Sequence, residues 1–324
     1  MRILVCGGAG YIGSHMIKML HEYDHSVVTF DNLSTGHEHA VQWGELIHGD
    51  LLNTNDLNKL LDNNRFDAVM HFAALSLVGE SMRNPAAYYQ NNILGTFNLL
   101  EAIRKHNINK FIFSSSAAVY GKPQFEKIDE RHPTKPINPY GQTKLMVEHI
   151  LRDYAAAYGM SSVSLRYFNA AGADPSGAIG ENHNPETHLI PNIIKAILDQ
   201  SRDLQVFGDD YDTHDGTCIR DYIHVTDLCS AHLKALDYLF GNPGCHQFNL
   251  GNGNGFSIKE VIEAAEQITS KKISYTIAAR RPGDPAKLVA DATLALEHLH
   301  WKPEYTDIKS IILTALNYYK MPHV

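Results

Sequence analysis

Arg2-Ile3-Leu4-Val5-Cys6-Gly7-Gly8-Ala9-Gly10-Tyr11-Ile12-Gly13 decides the fold. Five residues of unbroken strand character run into a glycine loop, and a helical pattern follows from about residue 11 to 23. Gly7, Gly10 and Gly13 space as G-x-x-G-x-x-G. At a strand-to-helix junction such glycines permit a tight turn, let backbone N–H groups approach a pyrophosphate and let the helix lie close on the sheet. The helix N-terminus adds roughly half a positive charge facing that anion. Gly8 and Gly13 also have the spacing of a nucleoside-triphosphatase phosphate loop, which needs Lys and then Ser or Thr after its last glycine. Ser14-His15 stands there instead and excludes it.

Further apolar runs occupy 26–30, 45–48, 66–73, 110–116 and 161–167, with helical patterns near 54–63, 85–106 and 140–158 between them. The runs are continuous rather than alternating, as strands covered on both faces should be. Strands alternating with crossover helices make an α/β fold with a doubly wound, parallel sheet. Caps fit these bounds: Thr54 can open one helix, Asn138-Pro139 another that Gly159 stops, and Ser257-Ile258-Lys259-Glu260 reads as a capping box. Asp31 ends the second run, where a carboxylate accepts hydrogen bonds from ribose hydroxyls and repels a 2′-phosphate, which favours NAD over NADP. Asp50-Leu51 and Phe72-Ala73-Ala74 end the next two runs, at the carboxyl edge where such sheets bind ligands. After about residue 169 the texture changes. Residues 170–188 read as a long loop rich in Gly, Pro, Asn and His, and shorter elements with a helix at 225–240 follow.

The chain has 324 residues, 44% hydrophobic and 20% charged, with a formal net charge of −8. At roughly 150 residues per domain this suggests two lobes or one elaborated domain. A mildly acidic chain without a basic run argues against nucleic acid or an anionic membrane as partner. No apolar run approaches the roughly 18 residues of a membrane helix, and the opening strand leaves no room for a cleavable leader. The four cysteines, Cys6, Cys218, Cys229 and Cys245, match no zinc or redox spacing and suit a reducing, cytoplasmic setting.

Ser114-Ser115-Ser116 ends the 110–116 run, and Tyr140-Gly141-Gln142-Thr143-Lys144 opens the 140–158 helix. Tyr140 and Lys144 are i and i+4 and share a helix face. A free tyrosine, with a pKa of ~10, is a poor base. An ammonium about 5 Å away supplies ~3 kcal/mol at an effective dielectric near 20, and an oxidised nicotinamide can add to it. Tyr140 with Lys144 then makes a base that removes a hydroxyl proton while hydride leaves the same carbon, with Ser116 hydrogen-bonded to the same oxygen. His21-Glu22-Tyr23-Asp24-His25 matches the H-E-x-x-H zinc pattern. It falls at a helix end on the edge of the sheet away from the glycine loop. No metal site is expected there or among the other histidines.

GGAGYIGSH, DNLSTG, HFAA, SSSAAVYG, NPYGQTK, LRYFNAAGA, IRDYIHVTDL and RRPGDP together resemble the extended short-chain dehydrogenase/reductase family, closest to its branch that epimerises UDP-hexoses at C4. The resemblance spans essentially the whole chain. It implies resident NAD, conversion between UDP-glucose and UDP-galactose through a transient 4-keto sugar, and a homodimer paired through the 85–106 and 140–158 helices. By that likeness Tyr140 is the base, Lys144 tunes it and holds the nicotinamide ribose, and Ser116 assists. Gly7, Gly10, Tyr11, Ile12, Gly13, Asp31, Asn32, Asp50, Leu51, Phe72, Ala73, Ala74, Asn91 and Phe168 match cofactor positions. Asn169, His188, Leu189, Phe207, Arg220, Tyr222, Arg281, Asp284 and Leu288 match UDP-sugar positions. Residues 1–169 then form the NAD-binding Rossmann domain, with 222–248 returning to it, and 170–324 form mainly the UDP-sugar lobe. Arg220 and Arg281 can clamp a diphosphate, and Phe207 can line a uracil pocket. Three positions depart from some relatives: Ser76 stands where some carry a lysine, His188 where some carry an asparagine, and Leu288 where some carry a bulky tyrosine, the smaller side chain leaving room for an N-acetylated sugar. A 4,6-dehydratase needs an Asp-Glu pair where Ala117-Ala118 stands. A decarboxylase needs a uronate-binding site that the sequence does not show. A non-catalytic NAD sensor has no need of Ser116, Tyr140 and Lys144 together.

Overall fold

A computed structural model describes residues 1–199, 202–281 and 284–321. Pro282 and Gly283 of the RRPGDP motif lie outside the described residues. The first half lays down β1 (Arg2–Cys6), α1 (Tyr11–Glu22), β2 (Ser26–Asp31), β3 (Glu45–His48), α2 (Thr54–Asn63), β4 (Ala68–His71), α3 (Val78–Arg83), α4 (Pro85–Tyr88), α5 (Thr96–Lys105), β5 (Lys110–Ser114), α6 (Pro139–Tyr158) and β6 (Ser161–Tyr167). The second half adds β7 (Asn169–Ala171), α7 (Leu189–Leu198), β8 (Leu204–Phe207), β9 (Ile219–His224), α8 (Val225–Gly241), β10 (Cys245–Leu250), β11 (Gly255–Ser257), α9 (Ile258–Thr269), β12 (Tyr275–Ala278), β13 (Lys287–Leu288), α10 (Thr293–Leu299) and α11 (Ile308–Lys320).

Seven parallel strands form one sheet in the order β10-β6-β5-β4-β1-β2-β3. Alternate residues of β1 enter opposite cores, which explains its unbroken apolar run. Ile3 and Val5 pack with Met16, Ile17 and Leu20 of α1 and Leu228 and Leu236 of α8. Leu4 and Cys6 pack with Leu57 and Leu60 of α2, Leu99 and Ile103 of α5 and Leu151 of α6. Strand order reverses at β1 and β4, so a crevice opens beyond their carboxyl ends. There Gly7 N–H donates to Phe30 O and Ala73 N–H to Cys6 O, both at 3.0 Å.

The chain leaves this sheet after β6 and returns to it at β10, which pairs with β6 over Cys245–Leu250. Outside it, β9 pairs with β7, β11 and β13, and β8 pairs with β12. Ile193 and Ile194 of α7, Val261 of α9 and Ile311 and Ile312 of α11 fill a separate core beneath these strands. No helix among the described residues is long and apolar enough to cross a membrane.

Two local readings are corrected. Asn53, not Thr54, caps α2: its side chain accepts from Asn55 N–H, and Thr54 is already the first helical residue. The 85–106 segment is not one α-helix, because Tyr89–Gly95 between α4 and α5 winds as a π-helix. That wide turn buries Asn92, whose amide donates to Leu75 O and Thr143 Oγ1 and whose Oδ1 accepts from Leu75 N–H. The other caps form as predicted: Asn138 accepts from Gly141 N–H, Gly159 takes φ 68°, and Ser257 and Glu260 complete a capping box.

Candidate active site

Strand β5 delivers three serines to the crevice. Ser115 N–H donates to Leu165 O at 2.9 Å, so the strand's pairing extends one residue beyond its end. Ser116 caps a short helical turn, Ala117–Val119, its Oγ accepting from Ala118 N–H at 3.1 Å. Helix α6 starts against that turn. A Cβ on Gly141 would sit 2.4 Å from Ala118 O, so only glycine allows this approach. The close approach brings Tyr140 and Lys144 to Ser114–Ser116. Lys144 Nζ donates to Ser114 O at 2.6 Å and lies 5.8 Å from the centre of the Tyr140 ring. All three candidate catalytic side chains are buried.

The sequence predicts that Lys144 draws the Tyr140 phenol down, whereas the protein's own groups push it up. Burial is the largest cause, and hydrogen bonding with Ser116 opposes it. Burial also pulls Lys144 down to about 7, with Glu148 partly restoring its proton affinity. Two groups that charge with opposite sign are thus both held near neutrality by desolvation. When Lys144 is charged, Coulomb attraction over 5.8 Å is worth about 3 kcal/mol at an effective dielectric of 20, or about two pKa units of relief for the phenolate.

Sequence reading missed the group beneath. Glu148 is 3% exposed and accepts from Ser115 Oγ at 2.6 Å and Arg166 Nε at 2.9 Å. Arg166 in turn donates to the Tyr120 hydroxyl, which donates to Asn249 Oδ1. The signal was present, since Tyr140, Lys144 and Glu148 recur every four residues on one face of α6.

A dinucleotide fits the crevice on two observations. The first turn of α1 has neither a capping side chain nor an acidic residue, which leaves its N–H groups for an anion. A Cβ on Gly13 would lie 2.1 Å from Gly7 O, so glycine closes the loop that presents them. Asp31 braces this loop by accepting from Ala9 N–H at 3.0 Å and Leu33 N–H at 2.9 Å. Asn32 donates to Asp50 at 3.1 Å, linking two more predicted cofactor residues. Tyr11 donates to Gly172 O, Phe72 packs on His232, and Asn91 donates to Asn92 Oδ1. Leu51 is buried, and Ile12, Ala73 and Ala74 are partly exposed at the crevice.

The predicted UDP-sugar residues fall into small groups. Leu288 packs with the predicted cofactor residue Phe168 and with Ala117 and Leu145, beside the serine turn. Leu288 pairs in register with Arg220, and Asn169 with Tyr222. Arg220 is nine-tenths buried and donates to Ile219 O and Asp284. Arg281 stacks over Phe207 at 4.1 Å. Both arginines therefore have partners within the chain. Leu189 starts α7, and the adjacent His188 has its Nδ1 on Glu181. The HEYDH motif cannot form a helical metal pair, because α1 ends at Glu22 and Asp24 takes φ 58°. The sequence predicts no metal cluster, yet the fold gathers Glu181, His183, Glu186 and His188.

The model of the NAD dependent epimerase/dehydratase family matches residues 3–251. The chain belongs to this family. A UDP-glucose 4-epimerase of Halalkalibacterium halodurans is 48% identical to this family member over all of the chain and 97% of that protein. The structure of a UDP-glucose 4-epimerase from Brucella ovis in complex with NAD is 49% identical, covers 98% of both chains and superposes with a TM-score of 0.95. A UDP-glucose 4-epimerase from Bifidobacterium longum in complex with NAD+ and UDP is 40% identical over 98% of both chains, with a TM-score of 0.93. The epimerase/dehydratase chain thus matches these relatives from end to end.

Proposed function

We propose that this chain is an NAD-dependent isomerase that interconverts UDP-glucose and UDP-galactose. The observation that carries this reading is the buried Ser116, Tyr140 and Lys144 group at the carboxyl end of β5, beside the glycine loop. Bound NAD supplies a hydride acceptor that takes hydrogen from C4 of the hexose and returns it to the other face. Tyr140 accepts the C4 hydroxyl proton and later gives it back. Ser116 orients that oxygen and stabilises the phenolate by hydrogen bonding. Lys144 adds charge next to the phenol and holds the nicotinamide ribose. Gly7, Gly10, Tyr11, Ile12 and Gly13 receive the pyrophosphate, and Asp31 the adenosine ribose. Arg220, Arg281 and Phe207 hold the uridine diphosphate, with Asn169, Leu189 and Tyr222 alongside.

A dehydratase reading is disfavoured by Ala117 and Ala118, which cannot move protons where that chemistry needs an acid and a base. Leu288, packed beside Phe168, is smaller than the tyrosine some relatives carry there, so UDP-N-acetylglucosamine is a second substrate of the proposal. Leu94, Phe97 and Tyr158 are exposed apolar side chains on the helices assigned to a homodimer contact. Four free cysteines, three of them buried, fit a reducing cytoplasm. The test is purified protein incubated with UDP-galactose and no added cofactor, reading UDP-glucose and bound NAD together. Tyr140→Phe should cut the rate by at least about 100-fold with nucleotide binding retained; product at the unmodified rate would refute the assignment.

A further inference from the structure

Glu181-Asn182-His183-Asn184-Pro185-Glu186-Thr187-His188 carries two carboxylates and two imidazoles in eight residues. The loop folds back so that one donor atom from each of Glu181, His183, Glu186 and His188 lies within 4.8 Å of all the others. His183 Nδ1 is 3.0 Å from a Glu181 oxygen and 3.9 Å from a Glu186 oxygen, and His188 Nδ1 touches the same Glu181 oxygen. Four ligands on a tetrahedral ion with bonds of about 2.1 Å stand about 3.4 Å apart. The separations bracket that value. Two imidazoles with two carboxylates suit a first-row transition ion of the zinc class.

A second observation points to a cation. The Glu186 side chain is 5% exposed, and its Oε2 has no hydrogen-bond donor. Lys195 approaches that oxygen only to 3.7 Å, while Oε1 accepts from Thr187 and His188 N–H. A buried carboxylate oxygen without a hydrogen-bond donor is costly, and a cation bound by this carboxylate would add to the charge that Lys195 brings only to 3.7 Å. The surroundings hold the cluster in place. Tyr319 donates to Glu181 O at 2.8 Å, and the Tyr11 ring meets His183 edge-on at 6.2 Å.

We propose that Glu181, His183, Glu186 and His188 bind one divalent transition-metal ion, which closes the 181–188 loop before α7 on itself. The alternative is a metal-free cluster of protonated imidazoles paired with the carboxylates. His188 also stands at a position matched to the UDP-sugar, so the titration with metal is made without nucleotide, and the proposal does not rest on which sugar the protein turns over.

Untagged full-length protein, freed of metal by dialysis against chelator, should be titrated with Zn²⁺ against a chromophoric chelator and separately with Co²⁺. The expected results are saturation at one ion per chain, a Co²⁺ visible spectrum of four-coordinate intensity and a raised thermal midpoint. His183→Gln should weaken binding by about 100-fold or more, while the control His21→Gln/His25→Gln keeps it. Circular dichroism checks that each variant is folded. Absence of saturable binding by the unmodified protein overturns the proposal and supports the metal-free cluster. Equal binding by folded His183→Gln also overturns it. If His183→Gln does not fold, the Co²⁺ spectrum of the unmodified protein decides alone.

Discussion

Replacing Glu148 with Gln removes one charge from the most deeply buried ion pair near the candidate site while leaving its shape. Glu148 and Arg166 are 3% and 6% exposed, and the pair is bidentate, Nε to Oε1 at 2.9 Å and Nη2 to Oε2 at 2.5 Å. In Glu148→Gln the guanidinium stays buried beside a neutral amide whose NH₂ end faces another donor. Leaving one partner of a buried pair uncompensated costs about 3–5 kcal/mol, a large part of a typical 5–15 kcal/mol of stability. Arg166→Met should cost a similar amount for the converse reason. Because each single change already disrupts the pair, Glu148→Gln/Arg166→Met should cost less than the sum, by about 1–3 kcal/mol. Urea unfolding at neutral pH measures all three, with an unchanged slope confirming comparable native states. Glu148→Gln should also slow turnover, since the acceptor of Ser115 next to Ser116 becomes a weaker, neutral amide oxygen and Lys144 loses the charge that raises its proton affinity. A single-variant loss below about 1 kcal/mol, or strictly additive effects, would refute the reasoning.

Burial pulls Lys144 down to about 7 in the folded chain from its ordinary value of 10.5. Between those values the unfolded chain holds a proton that the folded chain lacks, so stability gains with rising pH; below about 7 both hold it and the slope vanishes. The stability of the cofactor-free protein minus that of Lys144→Met should therefore rise between about pH 7 and 10, on the order of 1–4 kcal/mol, and a flat difference counts against the buried ammonium. Gly141→Ala places a methyl 2.4 Å from Ala118 O. It should force α6 off the serine turn, lowering kcat by about 100-fold, since a displacement near 1 Å costs that much; unchanged kcat would show that the helix start is not set by this contact. Asp31→Ala should weaken NAD binding and narrow its preference over NADP, read by isothermal titration with both dinucleotides. An unaltered ratio would remove Asp31 from the ribose.

The sheet was legible because β1, β2, β4, β5 and β6 are buried on both faces and so lack alternation, and because caps at Asn138 and Ser257 involve only neighbouring residues. The wide turn at Tyr89–Gly95 was not, since it depends on Asn92 finding partners in Leu75 and Thr143 far along the chain. Tyr140 and Lys144 could be read from spacing, but the direction of their shifts could not, because burial is set by the surrounding fold. The 181–188 cluster was hidden for a related reason: its spacing matches no helical or zinc-finger pattern, and only the folded loop brings the four side chains toward one another.

Strand β10 reaches the sheet only after the chain has built part of the other lobe, and it covers the side of β6 away from β5. A fragment ending near residue 169 would present β6 as a bare edge, open to pairing with another molecule. Neither lobe is therefore a detachable module. Limited proteolysis should give fragments that stay associated, and expressing the first 169 residues alone should give insoluble protein.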